Sequence, residues 1–239
     1  MKTSEVFATF ASLFLSWLSA QGQTVFQDLN FEAADLSHPA GMYNEVPIAN
    51  ALPGWSGSIG ADEVTSVWAD GDSAGMAAIS VEGPSTNAGG IGPLEGNYSV
   101  YLQSGFDPQT ESVGVNVSLF QTGMIPSNAK SLEFSAWGNY PNFAVSFADT
   151  SLSPVILSSA QSPSGQTYEV YGASIAAYAG QTGELDFTAL FNNGINYGDI
   201  ELDDITFSTA AVTPEPNTLA LVVMGGLALA ARRWRKMDL

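Results

Sequence analysis

Between Val25 and Ser208 no stretch keeps a 3.6-residue apolar period over enough residues to build a helix. Val, Ile, Tyr and Phe recur instead at period two or in brief blocks. Turn-forming clusters bound them: Pro53-Gly54, Asp70-Gly71-Asp72, Gly89-Gly90, Pro126-Ser127-Asn128, Pro163-Ser164-Gly165 and Asn192-Asn193-Gly194. The pattern predicts strands near 25–31, 77–81, 98–103, 113–121, 131–137, 142–148, 155–157, 168–175, 183–191 and 199–208. A single helical turn fits within 173–179. Many short strands with frequent turns predict an all-β chain folded as a two-sheet antiparallel sandwich. In the last of these strands Ile200 and Leu202 share a face, whereas Ile205 and Phe207 have the opposite parity. A bulge between Asp203 and Asp204 reconciles them.

The two ends follow other rules. Residues 1–22 carry Lys2, an apolar stretch from Val6 to Leu18, and small residues at Ala20 and Gly22. This is the layout of a secretory signal peptide, cut after Gly22 or, as the alternative, after Ala20. At the other end, Thr218 to Ala231 is free of charge, and Arg232, Arg233, Arg235 and Lys236 follow at once. So short a run crosses a bilayer if Trp234 sits at the interface and the arginines reach the headgroups. A transmembrane helix is therefore expected over 217–234, its cations cytoplasmic and the body outside. Pro214, Glu215 and Pro216 precede it; the prolines hold this segment extended and open to a protease.

Residues 23–210 remain for the body, a length that suits one domain with a large core. Of the 24 acidic residues only Glu5, Glu215 and Asp238 lie in the end segments, and of the 6 basic residues only Lys130 lies outside them. The body thus sets 21 acids against one base, a net charge of −20. Nucleic acid is excluded as a partner, since its binding depends on cationic side chains. Polyanionic glycans are repelled unless a divalent cation bridges. The chain has no cysteine, which removes disulfides, thiolate metal sites and cysteine nucleophiles together.

The order Pro214-Glu215-Pro216, short membrane helix, Arg-rich end, over residues 211–239, resembles the PEP-CTERM sorting signal of Gram-negative bacteria that make exopolysaccharide. The resemblance implies recognition by an exosortase, a membrane cysteine protease-transpeptidase that cleaves near the motif and removes the helix. Pro214, Glu215 and Pro216 are then a substrate sequence, while Arg232, Arg233, Arg235 and Lys236 set membrane orientation. An exported protein is expected, anchored in the membrane and then placed at the cell surface or in an extracellular polysaccharide matrix.

The body carries a second likeness. Phe26-Gln27-Asp28-Leu29-Asn30-Phe31-Glu32 opens it, Pro53-Gly54-Trp55 follows, and Asp199-Ile200-Glu201-Leu202-Asp203-Asp204-Ile205 closes it. This resembles the galactose-binding-like jelly rolls of carbohydrate-binding modules. It implies a jelly-roll sandwich with first and last strands side by side, and a calcium where the opening Glu meets the closing Asp. Glu32, Asp203 and Asp204 are the matching residues. A carboxylate turned inward by the bulge needs a donor or cation to offset desolvation, and calcium seeks oxygen ligands. Solvated edge carboxylates are the plainer reading.

Other chemistry is thin. Asp70-Gly71-Asp72-Ser73 lacks the remaining ligands of a helix-loop-helix calcium loop, and His38, alone in Ser37-His38-Pro39, cannot build a zinc site. Trp137 and Tyr140, and less so Trp68, set flat aromatics beside amides, as a sugar-stacking surface would. Core or turn packing is the commoner use of such residues. Carboxylate pairs of a glycosidase cannot be singled out by spacing. The expectation is a non-enzymatic surface protein; the alternatives are a calcium-bearing carbohydrate-binding module and, behind it, a polysaccharide hydrolase.

Overall fold

The computed structural model describes residues 25–37, 39, 44–71, 75–84, 92–138, 142–192 and 198–213. The expected signal peptide, the sorting motif Pro214, Glu215 and Pro216, the basic cluster Arg232, Arg233, Arg235 and Lys236, and both His38 and Tyr140 lie outside them. No helix among the described residues is long and apolar enough to cross a membrane.

Sixteen strands are seen among these residues. The first eight are β1 (Glu45–Pro47), β2 (Ser56–Ile59), β3 (Asp62–Glu63), β4 (Ser66–Ala69), β5 (Ala78–Glu82), β6 (Ser99–Gln103), β7 (Gly105–Phe106) and β8 (Gly114–Val115). The rest are β9 (Val117–Met124), β10 (Ser131–Trp137), β11 (Phe143–Phe147), β12 (Thr150–Ser151), β13 (Val155–Gln161), β14 (Thr167–Ser174), β15 (Thr182–Ala189) and β16 (Asp199–Ser208). One α-helical turn, α1 (Ile48–Ala51), and one 3-10 turn at Ala176–Tyr178 are the helical elements among the described residues. An eight-stranded sheet runs β1-β4-β5-β6-β16-β10-β14-β13, and a six-stranded sheet runs β12-β11-β15-β9-β2-β3. Every pairing is antiparallel except β4 with β5.

Alternation builds the core between these sheets. Ile79, Val81, Val100, Leu102, Ile200, Leu202, Leu132, Phe134 and Ala136 point inward from the large sheet; Leu119, Val145, Leu185 and Phe187 answer from the small one. Phe134 is the hub. Its ring stacks on Tyr171 at 5.5 Å and meets Phe187 and Phe143 edge-on at 5.2 and 6.2 Å.

β10 and β16 begin and end where the alternation places them, and the bulge in β16 is present. Glu133 pairs with Thr206 but Ser135 pairs with Asp203, and Asp204 takes φ 45°. The expected strand at 25–31 is not one. Asp28 and Phe31 adopt left-handed backbone, φ 46° and 56°, which breaks extension. The segment still runs beside β16: Phe26 packs on Phe207 at 5.2 Å, and Ile205 donates its N–H to the Leu29 carbonyl at 2.8 Å. The ends of the body thus meet through side chains and one hydrogen bond.

Candidate functional site

Because Val100, Leu102, Ile200 and Leu202 face the core, their neighbours face outward from the large sheet. One cross-strand row on that outer side reads Glu45, Trp68, Ser80, Tyr101, Glu201, Trp137. Trp68 and Trp137, 69 residues apart in sequence, therefore lie on one line about 19 Å long, four strand spacings. The middle of the row is buried: Glu201 is 0% exposed, and Ser99 Oγ donates to its Oε1 at 2.5 Å. Glu82 and Asp203 are buried on the same side.

The loop leading into β6 is strapped down here by two carboxylates. Asp203, 1% exposed, accepts the Glu95 N–H at 2.9 Å with Oδ2 and the Asp204 N–H at 2.7 Å with Oδ1. Glu32 accepts the Asn97 and Tyr98 N–H groups at 2.6 and 3.1 Å, and Asn97 Nδ2 donates to it at 2.8 Å. Gly96 lies between the two straps at φ +55°, and a Cβ there would collide with the Glu32 carboxylate. The opening Glu and the closing Asp do converge, but on the amides of one loop. Among the described residues no group of three or more Asp, Glu or His side chains is arranged to hold a metal ion.

Electrostatics separates the straps. Burial pushes Asp203 up to about 8; its two amide donors oppose the shift, while Asp204 and Glu95 add to it. Burial and Glu95 also raise Asp204. Burial acts to raise Glu32 as well, but hydrogen bonds from Asn97 and Tyr98 outweigh it and hold this carboxyl below its usual value. Tyr168 donates to Glu95 Oε1 at 2.7 Å, and burial together with that acceptor raises its phenol to about 12.

A cleft of about 680 Å³ opens around Trp68, within the size range of small-ligand sites. Glu45, Asp62, Glu63, Asp107 and Glu111 line it with the indole. Asp107 builds one wall: its side chain accepts the Gln109 N–H at 2.8 Å and its carbonyl accepts the Glu111 N–H at 2.8 Å. Gln109 Nε2 reaches Asp62 Oδ2 at 3.5 Å. An aromatic face surrounded by carboxylates suits a ligand with flat apolar faces and many hydroxyls, and repels anions.

Sequence reading ranked Trp137 and Tyr140 above Trp68. Trp137 ends β10 half-buried opposite Glu201, and Phe143 of the same run is core. The carboxylates around Trp68 are not foreseen in the sequence, because β1 to β4 are too short to stand out and Asp107 and Glu111 reach the cleft from a distant loop. The available signal was Ser66-Val67-Trp68-Ala69, where Val67 and Ala69 face the core and send Trp68 outward.

Residues 212–236 match the PEP-CTERM protein-sorting motif. In shape, the chain is similar to the enzymatically active domain of bacteriophage CBA120 tailspike protein 4. The TM-score is 0.38 with 11% identity over 77% of this chain, which spans only 21% of that one. It is also similar to the K2 cleaved adhesin domain of Lys-gingipain, with TM-score 0.33, 13% identity, and coverage of 75% of this chain and 95% of that one. No curated protein matches the sequence.

Proposed function

We propose that this chain is an exported, non-catalytic surface protein whose acidic β-sandwich is presented outside the cell after exosortase-type processing at Pro214, Glu215 and Pro216. One observation carries the reading: the match of residues 212–236 to the PEP-CTERM sorting motif, which marks an exported, cell-envelope-associated exosortase substrate. The successive β9, β10, β11 and later β14, β15, β16 alternate between the two sheets, which supports reading the sandwich as a jelly-roll variant. In the native host, mass measurement of the mature C-terminus is expected to show wild type ending near the motif. A chain with Pro214→Ala, Glu215→Ala and Pro216→Ala is expected to keep its tail. A wild-type protein recovered with residues 217–239 intact overturns the proposal.

A second reading is favoured by the cleft around Trp68: a polysaccharide-binding module. Covering the indole face with a sugar ring removes apolar surface from water and contributes about 1–2 kcal/mol at roughly 25 cal/mol per Å². Trp68→Ala should therefore weaken glycan-array binding by roughly tenfold, while Trp137→Ala leaves it largely unchanged. Absence of glycan signal from the wild-type chain would remove this reading and leave the first intact.

A further inference from the structure

Beside the small β7-β8 pair, whose strands have two residues each, the two large sheets of described strands leave four edges, and three of them are blunt: β1 has three residues, β3 and β12 two each. The fourth, β13, runs for seven residues with only β14 beside it. None of these seven is buried, and Ile156 is 50% exposed. A long open edge presents a row of N–H and C=O groups to solvent, a template for another strand. Lysine, proline and bulges are the usual protections against pairing; 155–161 contains neither lysine nor proline, and its one bulge lies at Leu157. A bulge takes Leu157 out of register, and its side chain covers Gly172. Beyond it, residues 158–161 pair regularly with 167–170 and keep an even outer edge.

The charge pattern leaves this edge open to a second copy. With 21 acids against one base, two copies of this body repel each other over most approaches. From Thr150 to Tyr168, however, there is no charged residue. Glu169, one strand further in, accepts the Ser159 hydroxyl at 2.7 Å. A cationic partner would be drawn to the carboxylate-lined surfaces instead. Two copies related by a twofold axis can join antiparallel edges using one self-matching segment, without any complementary patch elsewhere. We propose that β13 pairs with β13 of a second copy of this chain, joining two eight-stranded sheets into one continuous sheet.

The chain's lack of cysteine makes cross-linking unambiguous. Ser158→Cys, Ser159→Cys and Gln161→Cys would be made singly in the full chain, with exposed Ser127→Cys as control, and oxidised before non-reducing electrophoresis. Held edges raise the local thiol concentration, so at least one edge variant should give about tenfold more covalent dimer than the control. Adding Ile156→Asp sets like charges across the joint and should lower that yield about tenfold. Edge variants that cross-link no better than Ser127→Cys overturn the proposal. So does a yield indifferent to Ile156→Asp, and a dimer held by the tail alone would give both results.

Discussion

Phe134→Ala should lower the thermal midpoint of the body by roughly 10–15 °C. Truncating a buried Phe costs about 3–5 kcal/mol through lost transfer and a residual cavity. For a domain of this size each kcal/mol moves the midpoint by about 2–4 °C. The upper part of the range is expected because three rings lose their partner at once: Tyr171, Phe143 and Phe187 all contact Phe134. The hole also lies where both sheets meet, so collapse to fill it would need the sheets to move together. Phe134→Leu keeps most of the volume and should cost about 1–2 kcal/mol. Circular-dichroism melts of both variants test this; a Phe134→Ala midpoint within about 3 °C of wild type would show that the aromatic cluster is not the centre of the core.

The second large effect is a loss of stability as pH rises from 5 to 8.5, and it is assigned to Asp203. Its folded value, about 8, lies above its ordinary 3.8. Between those values the folded state binds a proton that the unfolded chain releases. Stability is therefore greatest toward the acidic side and declines as pH climbs to about 8. The full shift corresponds to roughly 6 kcal/mol at most, and less where the strap opens to water. Asp204, also raised, acts in the same direction. Glu32 opposes them: its folded value is depressed, so its contribution is lost as pH falls below the usual carboxylate range. The two carboxylates together place the optimum within the ordinary carboxylate range, between the Glu32 loss on its acid side and the Asp203 decline above it. Asp203→Asn keeps an acceptor for one of the amides of Glu95 and Asp204 and cannot ionise. It should flatten the decline above pH 5 and leave the acid-side loss to Glu32. A wild-type melting temperature that is level or rising from pH 5 to 8 would refute the assignment.

Much of this architecture was legible in local pattern. β10 and β16 match the predicted spans because seven to ten residues of clear parity leave one register that buries the apolar set. The bulge was legible for the same reason, as a parity change between Leu202 and Ile205. Strands β1 to β4 were not, since two to four residues carry too few alternations to stand out from a loop. The segment 25–31 misled because its apolar content reflects packing on β16, whereas its path is decided by left-handed Asp28 and Phe31.

Composition and linear order alone determined the class of the chain: all-β, cysteine-free, acidic in the middle, with a sorting tail that needs no fold to be read. These properties depend on neighbours in sequence. What the carboxylates and tryptophans meet was decided only by the tertiary structure. Glu32 and Asp203 are 171 positions apart yet strap one loop, and Trp68 gains its acidic surroundings from three separate segments. The reason is physical: burial and hydrogen-bond supply arise from which strands pair, and strand order in a sandwich is set by long-range contacts that no local window contains.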